Sequence, residues 1–233
     1  MSGNKKSAAG PDQKTPFLQR PLWGMKVWTW LTAFVCLAAV AAGVLLSRNA
    51  PSAQGTVPSS SGAASAVSGE KPKVRITVRG YGDIICELYP DIAPLTVDNF
   101  LSLVDRGFYN GLTFHRIISG FMIQGGDPNG NGTGGSGVNL KGEFAANGVA
   151  NPLSHTRGVL SMARAKDYNS ASSQFFIMHR DGTHLDGQYA AFGRVTEGMD
   201  TVDAICKDTP VTDGNGTVAK ANQPVIEKIE RIP

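Results

Sequence analysis

Arg116 and Gln124 stand eight residues apart in FHRIISGFMIQGGD, residues 114–127, among Phe114, Ile117, Ile118, Phe121, Met122 and Ile123. A cation and an amide in such surroundings could do one of two things. They could be solvated side chains on the outer faces of two core strands, or the polar contacts of an apolar hollow. Strand alternation puts Phe114, Arg116 and Ile118 on one face of a first strand, Met122 and Gln124 on one face of a second, and Gln174, Phe176 and Met178 on one face of a third. If those faces converge, Phe121, Met122 and Phe176 floor a hollow whose polar contacts are Arg116, Gln124 and Gln174. That set holds no nucleophile, acid–base pair or metal-ligand group. It suits binding of an apolar ring with an attached amide. Alternation alone leaves both readings open.

Other chemistries find less support. Gly130, Gly132 and Gly135 satisfy G-x-G-x-x-G, but the chain continues as SGVNLKGEF, which does not open the helix that a dinucleotide site needs. No GK[ST] follows, so a phosphate loop is excluded. His115, His155, His179 and His184 lack metal-ligand spacing. Ser161 and Ser173 have no nucleophile-elbow context. Cys36, Cys86 and Cys206 form neither a CxxC pair nor a disulfide framework, although a Cys86–Cys206 bridge is possible on paper. Cys86 sits in an apolar strand and reads as buried and inert.

The elements that must position these residues begin near Lys73. Val74, Ile76 and Val78 alternate with charged or polar residues, Gly80-Tyr81-Gly82-Asp83 is turn chemistry, and Ile84–Tyr89 is a second strand, so an antiparallel hairpin is expected. Val97, Phe100, Leu101 and Val104 have helical spacing, with Thr96 as the expected N-cap and Gly107 as the stop. Short apolar runs follow at 114–118, 121–124, 159–163, 174–178 and 190–195, and a second helix is expected from about 197 to 207. The closing VIEKIERI alternates poorly. Many short strands and two helices predict a closed or nearly closed barrel.

Upstream, the composition changes. Val27–Leu46 is an uncharged apolar stretch of about 20 residues, long enough to span a bilayer, with Trp23, Trp28 and Trp30 at one end as an interfacial belt. A cleavable signal peptide competes with this reading, but the apolar run exceeds the roughly 7–15 residues of a signal core. Lys5, Lys6, Lys14, Arg20 and Lys26 precede the span, which predicts a cytoplasmic N-terminus and an extracytoplasmic bulk, or a secreted form if the segment is cleaved. The net charge of +3 owes much to this tail, so no nucleic-acid partner is implied. Residues 49–70 are mostly Ser, Ala, Gly and Pro and cannot support a core. The expected organisation is a basic tail at 1–26, an anchor at 27–46, a flexible linker at 47–72 and a folded domain at 73–233. Nothing in the sequence suggests an oligomer, and a monomer is expected.

FHRIISGFMIQGGD, GTGGSG, GVLSMARA, SSQFFI, HLDGQYAAFGRV and EGMD, taken in order, resemble the cyclophilin family of peptidyl-prolyl isomerases, as do ELYPDIAP and NFLSLVDRGFYNG. The resemblance runs from about Lys73 to the C-terminus and is strongest to compact bacterial members. It implies a mostly β fold, an eight-stranded antiparallel barrel capped by two helices, to which the upstream composition adds one transmembrane helix and a linker. It implies Arg116 as the catalytic arginine, His115 as its preceding histidine and Gln124 as the glutamine that orients the substrate backbone. Phe121, Met122, Phe176 and Leu185 match the proline pocket, and Gln174, Gly132, Ala163 and Ala165 match groove positions. Three residues depart from the pattern: Arg164 stands where the family has an asparagine, His184 where a tryptophan is common, and Tyr189 where a histidine lies at the pocket rim. The missing tryptophan implies weakened cyclosporin binding, and Arg164 an altered preference for the residue before proline.

The activity implied is cis-trans isomerisation of X-Pro bonds in client segments, with no metal or cofactor, assisting the folding of extracytoplasmic proteins. The alternative is a membrane-tethered module or holdase that grips proline-containing segments without turnover.

Overall fold

A computed structural model describes residues 71–233. The expected tail at 1–26, the apolar span at 27–46 and the linker up to residue 70 lie outside the described residues. Among the described residues no helix is long and apolar enough to cross a membrane.

The chain forms β1 (Lys73–Val78), β2 (Gly82–Leu88), α1 (Pro94–Asp105), β3 (Phe114–Ile118), β4 (Met122–Gly125), β5 (Val159–Met162), β6 (Phe175–Met178), β7 (Ala191–Glu197), α2 (Met199–Asp208) and β8 (Ile226–Ile232). All eight strands join one antiparallel sheet in the order β3-β4-β6-β5-β7-β2-β1-β8. The two ends of that order meet at a Thr113–Val225 bridge, flanked by the amide of Phe114 donating to the Pro224 carbonyl and that of Ile226 to the Leu112 carbonyl. The sheet is thus curled nearly shut.

Alternation divides the buried side chains into two sets. Val74, Ile76, Ile84, Cys86, Leu88, Ile123, Leu160, Phe175, Ile177 and Phe192 point into the barrel and meet Phe100 and Leu103 of α1 and Val202 and Ile205 of α2. Phe175 is the hub of an aromatic cluster, meeting Phe100, Tyr109 and Phe114 edge-on at 5.5, 5.6 and 6.1 Å between centroids. Each such pair contributes about 0.5–1.5 kcal/mol beyond its burial. Met122, Phe176, Met178, Val159 and Ala191 form a second cluster, against which Ile118, Phe121, Leu185 and Tyr189 pack. Central strand β6 is buried on both faces.

Three expectations change. Thr96 is the third residue of α1, not its cap, and Ala93 at the cap position offers no side-chain bond. The cap comes instead from Glu143, whose buried carboxylate accepts the amides of Leu95 (3.0 Å) and Thr96 (2.8 Å) and the Thr96 hydroxyl (2.6 Å). An anion on the orphan amides of a helix start is favourable for both hydrogen bonding and the dipole. Second, Phe114 does not share a face with Arg116. The register steps from Phe114↔Gly125 to Arg116↔Gln124, so His115 is an extra residue, and Phe114 and Ile117 both enter the core. A β-bulge inserts such a residue and flips the alternation. Third, the closing segment is a strand from Ile226 to Ile232. It also carries a bulge, with Thr77↔Lys228 followed by Val78↔Ile226, which turns Ile226 and Ile229 inward together. Gly107 ends α1 as expected, with φ of 66°. Cys86 and Cys206 are both free and buried, so the bridge possible on paper is absent.

Candidate active site

The register aligns four residues across four strands: Arg116 of β3 opposite Gln124 of β4, Gln124 opposite Phe176 of β6, and Phe176 opposite Ser161 of β5. The neighbouring row on the same face is Ile118, Met122 and Met178. A polar pair therefore borders an apolar floor. The bulge at His115 keeps Arg116 on this face while Phe114 and Ile117 fill the core.

Above these rows lies a cavity of about 210 Å³, several times the roughly 30 Å³ share of one water, lined by Arg116, Phe121, Met122, Gln124, Ala163, Arg164, Phe176, Leu185 and Tyr189. Arg116 is fixed at its rim. Its Nε donates to the Asn215 carbonyl at 2.8 Å and its Nη1 to Gln124 Oε1 at 3.2 Å. Gln124 Nε2 donates to Gln174 Oε1 at 2.9 Å, and Gln174 Nε2 to the Gly132 and Gly134 carbonyls at 3.1 and 2.8 Å. Arginine can only donate, so it sets the direction of both amides along the chain. Arg116 has no carboxylate partner among the described residues, and its Nη2 has no protein partner there.

Gly216 lets the Asn215 carbonyl approach. Its φ is 79°, and a Cβ there would lie 2.2 Å from the Ile117 carbonyl oxygen. The Asp213 carboxylate accepts the amides of Asn215 and Thr217, which shapes the same turn.

The remaining expected residues divide among neighbouring hollows. Gly132, Ala165 and Gln174 line a groove of about 380 Å³ that shares Ala163 and Arg164 with the first cavity. His115 lines a third of about 480 Å³, which shares Arg116 and Gln124. Gln174 thus reaches the apolar hollow only through Gln124, and Arg164 is a polar wall residue that strand alternation does not indicate. His184 lines none of the three and stacks on Phe121 at 5.6 Å between centroids. His115 is buried with both ring nitrogens unpartnered, and burial holds its pKa below the ordinary imidazole range, with Arg116 adding to the effect and Asp127 opposing it.

Two contributors escaped the sequence reading. The Asn215 carbonyl is backbone and carries no sequence signal. Asp127 accepts the amides of Asn129, Asn131 and Gly132 and so shapes the loop whose carbonyl receives Gln174. Its signal was the turn-forming DPNGN that follows GG.

Ser161, His155 and Asp186 form a hydrogen-bonded line, with His155 Nε2 at 3.0 Å from Ser161 Oγ and Nδ1 at 2.8 Å from Asp186 Oδ1. Ser161 is fully buried and no substrate carbonyl can reach it, so the line is structural. It supports the floor: the His155 ring lies nearly parallel to Phe176, at 20° and 6.1 Å. Among the described residues no cluster of three or more His, Cys, Asp or Glu could hold a metal ion.

Residues 73–231 match the family described as cyclophilin type peptidyl-prolyl cis-trans isomerase/CLD. Peptidyl-prolyl cis-trans isomerase B of Bacillus subtilis is 52% identical over 115 residues, covering 49% of this chain and 76% of that protein. Peptidyl-prolyl cis-trans isomerase-like 2 of Neurospora crassa is 43% identical over 176 residues, 69% of this chain, and the match spans only 28% of that longer protein. A crystal structure of a Cryptosporidium parvum cyclophilin type isomerase, obtained in the presence of the dipeptide Ala-Pro, superposes with a TM-score of 0.61 at 34% identity, covering 69% of this chain and 99% of that one. The chain belongs to the cyclophilin family of peptidyl-prolyl cis-trans isomerases. The enzyme class expected from the sequence is borne out.

Proposed function

We propose that the domain catalyses X-Pro rotation in its apolar hollow, on segments of extracytoplasmic client proteins. The observation that carries this reading is Arg116: two of its nitrogens are tied down, it lacks a neutralising carboxylate among the described residues, and it borders a hollow sized for a ring.

A peptide bond resists rotation by about 18–20 kcal/mol because nitrogen shares its lone pair with the carbonyl. Twisting localises that pair on nitrogen. A fixed donor there binds the twisted state better than the planar one, which lowers the barrier. The Arg116 guanidinium supplies the donor. Phe121, Met122, Phe176 and Leu185 grip the prolyl ring, and Gln124 orients the adjoining backbone. His115 stays neutral beside the arginine and adds no competing charge. Gln174, Gly132, Ala163, Ala165, Arg164, His184 and Tyr189 bound the groove along which the rest of the peptide lies. No bond breaks, so the reaction needs no cofactor.

The apolar stretch 27–46 with its basic flank supports a single-pass anchor, a cytoplasmic N-terminus and an extracytoplasmic domain. With His184 in place of an indole, cyclosporin binds weakly.

The test is isomerisation of a tetrapeptide amide by the full-length chain and by Arg116→Ala. Acceleration by the wild type that the folded variant largely loses supports catalysis. An uncatalysed rate for both leaves a module that only holds its clients. Protease added to intact cells should remove the domain; survival until the cells are opened overturns the topology.

A further inference from the structure

We infer that Arg164 is a positioning residue for the prolyl pocket: its guanidinium clasps the Leu185–Tyr189 wall to the segment after β5 and so sets the width of the hollow. The inference rests on the prolyl-site reading given above.

Arg164 Nε and Nη2 both donate to the Gln188 carbonyl, at 3.1 and 2.9 Å, while Nη1 donates to the Ala165 carbonyl at 2.9 Å and reaches that of Lys166 at 3.4 Å. One planar fork therefore joins two segments 24 residues apart. The same guanidinium sits 4.6 Å from the Tyr189 ring centroid, 4.8 Å from Tyr168 and 5.2 Å from Phe144. The Tyr189 ring also meets Phe176 edge-on, at 5.9 Å and 83°. Tyr189 is thus held between the cation and the pocket floor. Next to Arg164, Ala163 donates its amide to the Gln174 carbonyl, which ties the clasp to the amide relay.

No carboxylate pairs with Arg164 among the described residues, so the arrangement is a clasp of carbonyls and rings and not an ion pair. Lysine could supply the charge but not a planar fork spanning carbonyls of both segments, and it stacks less well on rings. Where the family pattern has asparagine, the shorter side chain offers neither the cation nor the reach.

A loosened wall weakens the grip on the ring more than it disturbs the Arg116 donor. KM should therefore move more than kcat. The experiment measures saturating isomerisation kinetics and melting midpoints for the full-length chain, Arg164→Gln, Arg164→Lys, Tyr189→Leu and the Arg164→Gln/Tyr189→Leu double variant, with Arg116→Ala as reference. We expect KM to rise about tenfold in Arg164→Gln, the effect of roughly 1.4 kcal/mol of lost binding, with a smaller change in kcat. Lysine should not restore it, and the double variant should be no worse than the poorer single one, because both cut the same clasp. An unchanged KM, with or without a lower melting midpoint, overturns the inference, as does rescue by lysine or additivity of the two substitutions. If Arg116→Ala keeps the wild-type kcat, the prolyl-site reading itself fails and the clasp falls with it. If Arg116→Ala is inactive and Arg164→Gln keeps its KM, only the clasp fails.

Discussion

Arg116 and Gln124 face each other across β3 and β4, with Nη1 3.2 Å from Oε1, and this contact joins the cation to a relay that ends on the Gly132 and Gly134 carbonyls. Each amide in the relay accepts from one side and donates to the other, so its polarity is set by the guanidinium.

Replacing Gln124 by glutamate should disable the site while leaving the fold intact. A carboxylate would pair with Arg116 and offset its field, and would lose the N–H that Gln174 receives. A fall in kcat/KM of about a hundredfold is expected, measured on a tetrapeptide amide. A rate within threefold of wild type would mean that Gln124 does not set the arginine.

Gly216→Ala should act on Arg116 from the turn behind it, where the new Cβ would also crowd Ile118 at 2.6 Å. The positive φ and the 2.2 Å approach to the Ile117 carbonyl force the turn to shift, and the Asn215 carbonyl moves with it. The expected cost is about 1–3 kcal/mol of stability, together with a drop in kcat. Loss of stability with kcat unchanged would show that Arg116 holds its place without Asn215.

Glu143→Ala should destabilise the whole domain. It strands two helix amides and a buried threonine hydroxyl. A loss of about 2–4 kcal/mol in chemical denaturation is expected, more than an exposed cap supplies, because the vacated groups stay buried. A loss below half a kilocalorie would place the capping elsewhere.

Stability should fall on mild acidification. Burial holds the pKa values of His155 and His115 below the ordinary imidazole range, with Asp186 and Asp127 respectively opposing it. The unfolded chain begins to take up protons near pH 6.5 while the folded chain does not. More protons on the unfolded state means that stability rises with pH across this window. The contribution is whole above about pH 7 and is lost as pH falls through the folded pKa values. Urea midpoints between pH 8 and 5 check this, and His155→Gln should flatten the slope. A midpoint that climbs on acidification would reverse the sign.

Much of this was legible in the residues. Alternation located the strands because the barrel interior demands it: Val74, Ile76 and Val78 are all buried. Two places defeated alternation for one reason. Phe114 with Ile117, and Ile226 with Ile229, are inward pairs spaced by three, which a regular strand forbids and a bulge permits. Neither bulge carries a glycine to announce it. The cap on α1 was hidden because Glu143 lies 47 residues from Thr96. Thr96 looked like a cap by local rules, and the long-range carboxylate took its place. The floor and polar rim of the hollow were readable from the shared faces of β4 and β6. The contacts of Arg164 were not, because they are carbonyls and rings from segments that only the folded chain brings together.

Strand β6 places Phe175 at the hub of the aromatic core and Phe176 on the floor of the hollow, one peptide unit apart. Neighbouring letters thus answer to different demands, one to the barrel interior and the other to the hollow. Substitutions can retune either side independently, but an insertion or deletion of one residue would exchange the two faces. Descendants of this chain are free to vary there in spelling and not in length.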